Sequence, residues 1–243
     1  MGRFAEALRL AGAVERLLLP PECLLCRRPV PHAEGDALVC GLCRSRWIAV
    51  PPPYCARCGT PAERGEACQT CAAWAGELDA VRSAVWLDAS ARRAVHHLKY
   101  DGWWRTAEAM AASMCALEPL TGSLSLIPIP LGSRRLRRRG YNQSERIARA
   151  LGGLLGHPVR EGWLVRGRET PSQTALTPEE RAANVAGAFR AAGRPDGRCV
   201  LVDDVFTTGA TLRAAAAALR DAGVPAVDAV TFARARNAVG QGP

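Results

Sequence analysis

Lysine is almost missing from this chain of 243 residues: Lys99 is its single example, although Lys and Arg together number 32 against 23 acids, for a formal charge of +9. A chain that otherwise carries its cations on arginine and keeps one compact, flexible ammonium points to a place where such a point charge is needed. Long apolar runs are missing too. Leu8 to Leu19 is too short to cross a bilayer and is broken by Arg9, Glu15 and Arg16, so membrane insertion is not expected. The opening Met1-Gly2-Arg3-Phe4 reads as the start of an amphipathic helix reaching about Leu19 rather than as a secretory leader, and a cytoplasmic location with reduced thiols is the expectation. Neither GxxxxGK[ST] nor GxGxxG occurs, which argues against a P-loop nucleotide site and against a dinucleotide-binding crossover. The basic excess favours anionic partners, phosphorylated metabolites or nucleic acid, without choosing between them.

Cysteine, by contrast, is concentrated. Eight of the ten cysteines form four CxxC pairs, Cys23/Cys26, Cys40/Cys43, Cys55/Cys58 and Cys68/Cys71. Two thiolates three positions apart on a tight turn grip one tetrahedral zinc ion, and two such turns complete a four-cysteine site, so four turns predict two structural Zn2+ ions. The intervals of 13 residues between Cys26 and Cys40 and 9 between Cys58 and Cys68 suit two consecutive ribbons with small hairpins. A cross-braced pairing, first turn with third and second with fourth, suits the spacing as well. So short a segment has little apolar content of its own, and metal ligation must supply much of its folding free energy. Cys115 and Cys199 stand alone among apolar neighbours and read as packing residues, and His32 reads as a surface loop residue.

The densest chemistry lies in Cys199-Val-Leu-Val-Asp-Asp-Val-Phe-Thr-Thr-Gly-Ala-Thr211. Val200, Leu201 and Val202 have the pattern of a central parallel strand buried on both faces. Asp203 and Asp204 follow at its carboxyl end. Phe206, Thr207, Thr208, Gly209, Ala210 and Thr211 then form a turn rich in hydroxyls and backbone N–H groups, directly before the Ala-rich helix former Leu212 to Leu219. Loop amides and a helix N-terminus together make an anion site. Adjacent carboxylates beside a phosphate pocket suit a sugar phosphate whose ring hydroxyls bond the acids, with a divalent cation moderating the charge. The plainer account is an ordinary strand-loop-helix junction with a threonine cap. The stretch resembles the 13-residue phosphoribosyl pyrophosphate (PRPP) signature of type I phosphoribosyltransferases. That resemblance implies that Asp203 and Asp204 bind the ribose 2- and 3-hydroxyls and that 206–211 holds the 5-phosphate.

In chain order, the pattern predicts a helix over 1–20, the zinc module over 21–75 with Pro51-Pro52-Pro53 as a stiff spacer between its halves, and a third unit over 79–243. In the last unit strands are expected near 83–88, 124–129, 162–166, 186–190, 198–203 and 226–232. Helices are expected near 90–98, 104–117, 142–155, 178–183 and 210–222. This alternation means an α/β fold, a parallel sheet with helices on both faces. Ligands in such sheets bind beyond the strands' carboxyl ends, so two further loops are candidates. One carries Arg134, Arg138 and Arg139 among five arginines in six positions, followed by Gly140-Tyr141-Asn142-Gln143, and suits a pyrophosphate or a nucleic-acid backbone. The other, from Arg166 through Arg168 and Gln173, reads as a polar lid. It leads to a helix capped by Thr177 with Pro178 and Glu180, in which Arg181 and Asn184 read equally well as exposed helix positions. Lys99 ends a helix containing His96 and His97, which read as half-buried helix residues.

The order of four CxxC pairs, His-Leu-Lys-Tyr, Arg-Gly-Tyr-Asn-Gln, Arg-x-Thr-x-x-Gln, Arg-x-x-Asn and Asp-Asp-Val-x-Thr-Thr-Gly is similar to that of the ComF family, over nearly the whole chain. The resemblance implies a zinc-ribbon module ahead of a type I phosphoribosyltransferase-like domain, and a link to natural competence, the uptake of single-stranded DNA. It further implies Mg2+-dependent transfer of a phosphoribosyl group from PRPP to a nitrogen acceptor, with Asp203 and Asp204 at the ribose and Lys99 with the 134–139 arginines at the leaving pyrophosphate. A non-catalytic protein that holds single-stranded DNA or a helicase-like partner of DNA uptake is the alternative. On either reading the zinc module is open to DNA, a helicase-like partner or the chain's own phosphoribosyltransferase-like domain.

Overall fold

Valine and leucine at 200–202 leave no polar face to turn to water, and the strand they belong to lies inside a sheet covered on both sides. The computed structural model describes residues 20–62, 68–168, 187–193 and 197–236. In these the elements are, in order, α1 (Gly41–Ser45), β1 (Val81–Trp86), α2 (Ala89–Tyr100), α3 (Thr106–Met114), β2 (Ser125–Pro128), α4 (Ser133–Arg139), α5 (Gln143–Leu155), β3 (Leu164–Arg166), β4 (Phe189–Ala191), β5 (Arg198–Phe206), α6 (Ala210–Asp221) and β6 (Ala226–Arg234). Strands β1, β6, β5 and β2 form one parallel sheet in that order, with Val202 opposite Val230, Ile127 opposite Leu201 and Val85 opposite Ala233.

Period-two alternation divides the core. Val200 and Val202 of β5 meet Val230 and Phe232 of β6 on one face, beneath α2, α3 and α5, which contribute Leu98, Met110 and Ile147. Cys199 and Leu201 point to the other face with Val227 and Ala229, beneath α6 and its Leu212 and Leu219. The expected strands near 162–166 and 186–190 depart from the pattern: β3 and β4 form a separate antiparallel pair, Leu164 opposite Ala191 and Arg166 opposite Phe189, outside the parallel sheet. Three residues each, they bury Leu164 and Phe189 in the cluster of the α6 face rather than extending the ladder. The arginine-rich loop is also more ordered than expected. It winds into α4 and stops at Gly140 in the left-handed conformation (φ 81°), with Arg137, Arg138 and Arg139 in the last turn, where cations complement the helix dipole.

The two halves of the zinc module take opposite sides of the sheet. Cys23, Val39, Cys40, Cys43 and Trp47 join the core beneath α2, α3 and α5, where Trp47 meets Phe232 edge-on at 4.8 Å, a geometry worth about 0.5–1.5 kcal/mol beyond its buried area. Cys58, Cys71 and Trp74 join the core on the α6 side. Between the halves, 48–50 runs along the outer edge of β1: Ala49 bridges Val85 antiparallel, Val50 N–H donates to Ala84 O (3.2 Å) and Trp86 N–H to Ile48 O (2.8 Å). The proline spacer contains a cis Pro52–Pro53 bond. The helix expected over 1–20 lies outside the described residues except for Pro20, and the helix expected at 178–183 lies wholly outside them.

Candidate functional site

The four CxxC turns pair in sequence order. Cys23, Cys26, Cys40 and Cys43 form one group and Cys55, Cys58, Cys68 and Cys71 the other, the sulfurs of each within 4.8 Å of one another; the cross-braced alternative is not the arrangement adopted. Sulfur separations of 3.9 Å (Cys26–Cys40), 3.6 Å (Cys55–Cys71) and 3.4 Å (Cys58–Cys68) approach the spacing of about 3.8 Å that a tetrahedral ion with Zn–S bonds of about 2.3 Å requires. Burial alone would raise the Cys23 thiol, yet hydrogen bonds from the backbone of Cys40, Cys26 and Leu25 pull it down to about 7. Burial acts the same way on Cys68, which the Cys58 side chain brings down to about 7. Cys43 and Cys71 are pushed well up, by burial and by the crowding of neighbouring sulfurs, a repulsion that a divalent ion relieves. Two four-cysteine sites of this kind fit two structural Zn2+ ions. The isolated cysteines carry ordinary packing roles: burial raises Cys199 to about 11 and also raises Cys115.

The acidic pair sits on β5, which runs on to Phe206, three residues past the expected end. Asp203 Oδ1 accepts hydrogen bonds from Ser144 Oγ (2.7 Å) and from the Asp204 N–H (3.0 Å). Asp204 is 3 % exposed, pairs with Lys99 Nζ at the end of α2, and accepts from Gln143 Nε2 (3.4 Å). Gln143 in turn accepts from the Arg139 guanidinium. Burial, and then the neighbouring Asp204 charge, push Asp203 up to about 7. Burial opposes the charge on Lys99, but the attraction of Asp204 outweighs it and holds the ammonium above its ordinary value. Arg139 is drawn below the usual guanidinium value by burial. The result is a half-buried carboxyl beside a buried one, the second paired with the lysine.

Beyond the pair, Thr207, Thr208 and Gly209 turn the chain into α6. Gly209 adopts φ 77°, which favours glycine, and a Cβ there would lie 3.0 Å from the Phe206 ring and 3.1 Å from Trp74 Cζ2, so a side chain would press on both rings. The Ala210 N–H donates to Thr208 Oγ1 (3.4 Å), and the first-turn amides of α6, a helix of 12 residues, open onto the loop. A cavity of about 370 Å3 adjoins Lys99 and is lined by Tyr100, Asp101, Gly102, Arg138 and Arg139 as well.

Residues 14–72 match the double zinc ribbon domain family and residues 139–241 the phosphoribosyl transferase domain family. The DNA utilization protein YhgH of Escherichia coli (strain K12) is 32% identical over 225 residues, 87% of this chain and 96% of that protein. The chain belongs to the ComF/YhgH family. Competence protein ComFC of Bacillus subtilis (strain 168) is 26% identical over 87% of this chain and 92% of its own, and competence protein F of Haemophilus influenzae is 36% identical over 46% of this chain and 50% of its own. A solved orotate phosphoribosyltransferase from Aeropyrum pernix aligns with 61% of this chain and 66% of its own at 22% identity and a TM-score of 0.32, too slight a likeness to carry detail.

In this ComF/YhgH chain the acids, Lys99, Arg139 and Gln143 converge. Two other members of the Tyr141-Asn142 segment serve the frame: Tyr141 Oη donates to Leu98 O and thereby fixes the end of α2, while Asn142 donates to Ile129 O (3.0 Å) and caps α5 by accepting from the Ser144 N–H (3.1 Å). Arg138 lines the cavity, Arg134 lies on α4, and Arg168 is exposed. Gln173, Arg181 and Asn184 lie outside the described residues. His97 and His96 both face Asp101 (2.8 and 3.3 Å), whose carboxyl the His97 bond holds below its ordinary value. Ser144 is the residue that sequence reasoning passed over; its one signal was its place directly after Tyr-Asn-Gln. Among the described residues no helix is long and apolar enough to cross a membrane.

Proposed function

We propose that this chain binds PRPP, or a closely related sugar phosphate, together with Mg2+, and transfers its phosphoribosyl group to a nitrogen acceptor with release of pyrophosphate. The observation that carries the reading is the adjacent pair of half-buried Asp203 and buried Asp204, placed immediately before a glycine-turned loop and the N-terminus of α6. Two adjacent carboxylates, one half-buried and one buried, are costly without cations or hydroxyl donors to satisfy them. Ribose hydroxyls supply the donors, and Mg2+, held with the ligand's own oxygens, supplies charge. The amides and hydroxyls of 206–211 donate to the oxygens of the 5-phosphate. Lys99, Arg138 and Arg139 around the adjoining cavity favour the charge that develops on departing pyrophosphate. In that role Lys99 exchanges Asp204 for phosphate oxygens as the ligand enters. Relatives named for DNA utilization and competence are consistent with a role in handling incoming DNA.

The test is titration calorimetry of PRPP with and without Mg2+, on the native chain and on Asp203→Asn/Asp204→Asn. Micromolar, Mg2+-dependent binding that the variant loses supports the reading and justifies a screen of acceptor bases by pyrophosphate release. Absence of binding to the native chain overturns it.

A second reading has its own observation. Tyr100, Trp103 and Trp104 are exposed, the Arg139 guanidinium lies 5.5 Å from the Tyr100 ring centre and that of Arg146 lies 4.6 Å from that of Trp104. Exposed aromatic faces interleaved with arginine suit the stacked bases and phosphates of single-stranded DNA. Trp103→Ala/Trp104→Ala is expected to weaken oligonucleotide binding while PRPP binding persists, measured by fluorescence anisotropy; unchanged anisotropy removes this reading.

A further inference from the structure

The two zinc ribbons share the CxxC spacing, but among the described residues it is the second that is built against the acid-bearing strand's end. Arg234, the last residue of β6 and 2 % exposed, lies with its guanidinium 4.1 Å from the Phe206 ring centre, on the residue that opens the phosphate loop. The same guanidinium donates to Cys58 O (2.9 Å) and to Thr60 Oγ1, and Thr60 Oγ1 is itself 3.1 Å from Cys58 Sγ. One buried cation thus joins a zinc ligand's backbone, the hydroxyl beside that ligand, and the loop's first ring. Trp74, three residues beyond Cys71, supplies a second contact: its ring centre is 6.4 Å from that of Phe206, and it closes the space behind Gly209. Trp74 is held in turn by α6, whose Arg213 guanidinium lies 5.8 Å from the indole and pairs with Glu77 (2.9 Å).

The ribbon backbone is pressed onto the sheet at the same place. Val81 N–H donates to Arg57 O (2.7 Å), Arg82 donates to Ala56 O (2.8 Å), and a Cβ on Gly59 would lie 2.5 Å from Val81 O. The first ribbon is anchored differently, through Trp47 on Phe232 beneath the opposite face.

We propose that the second zinc ribbon is a working part of the phosphate loop: Trp74 and Arg234 are positioning residues that hold Phe206 and Gly209 in the loop's binding conformation, so the loop's affinity for a sugar phosphate follows the fold of the second ribbon and is indifferent to the first. The affinity clause rests on the function proposed above; the positioning clause does not. A loop whose N–H groups must point at one phosphate gains affinity when that arrangement is set before the ligand arrives. The ring behind Gly209 and the guanidinium on Phe206 restrict two residues on either side of the Thr207-Thr208 turn.

The experiment compares the full-length, zinc-loaded chain with Trp74→Ala, Trp74→Phe and, as the matching change in the first ribbon, Trp47→Ala. Two quantities are read: hydrogen exchange of the 206–211 amides by mass spectrometry, and the affinity for PRPP with Mg2+ by calorimetry. With both zinc ions retained, Trp74→Ala is expected to speed exchange at 206–211 by about tenfold and to weaken PRPP by about tenfold. Trp74→Phe should restore most of both, and Trp47→Ala should alter neither. Unchanged exchange in Trp74→Ala, or equal acceleration in Trp47→Ala, overturns the proposal. Should Trp74→Ala lose zinc, Arg234→Lys replaces it with the same expectations, because lysine keeps the charge but loses the fork and the stacking. If the native chain fails to bind PRPP, the proposed function falls while the exchange comparison still decides the positioning.

Discussion

Asp203 is the residue whose chemistry is most exposed to pH. Its carboxyl stands at about 7 against an ordinary 3.8, raised by burial and by Asp204. A group raised in the folded state contributes stability that is complete below its unfolded value and is lost as pH climbs through the folded one. Asp203→Asn is therefore expected to flatten the decline of melting temperature between about pH 4 and pH 7, in thermal melts of the ligand-free protein. Ligand binding has the opposite slope, because ribose hydroxyls and Mg2+ call for the carboxylate: affinity for PRPP should rise about tenfold per pH unit up to about 7 and then level off. Lys99→Met, which removes the cation facing Asp204, should move that levelling point upward, as calorimetry over a pH series will read. The bias of the sequence toward arginine singled out Lys99, but its partner Asp204 lies on β5, far away in sequence, and no local pattern pairs them.

Among elements, the turn from β5 into α6 was the most legible, since an apolar run, two acids and a Thr-Thr-Gly turn each dictate a local structure. Gly209→Ala tests it directly. The substitution forces a side chain into φ 77° and against the Phe206 and Trp74 rings, so a loss of about 1–3 kcal/mol in chemical denaturation and at least tenfold in PRPP affinity is expected. The antiparallel β3–β4 pair was not legible as such. Strands of three residues carry too little alternation to declare a partner, and the choice between joining the sheet and covering α6 is made by tertiary packing. Likewise the run of arginines in α4 gives no apolar period, and its helix shows only through Gly140 as a stop.

For the whole molecule, cysteine spacing declared two metal sites, while their docking onto opposite faces of one sheet depends on Trp47, Trp74 and Arg234, residues far from their partners in sequence. Metal analysis should find two zinc ions per chain, one for each four-cysteine group. A strong chelator should lower the melting temperature by roughly 10 °C or more, since ligation supplies much of the ribbons' folding energy. The segment at 48–50 gives that loss a further consequence. It occupies the outer edge of β1, where Val50 and Trp86 complete the ladder, and it is tethered at both ends by the ribbons. If the ribbons unfold on loss of metal, Val81–Trp86 is expected to become a bare edge, and bare edges recruit other chains. Light scattering of the chelated protein should therefore grow with protein concentration well below the temperature at which the sheet itself melts; unchanged scattering would show that the edge stays covered without metal.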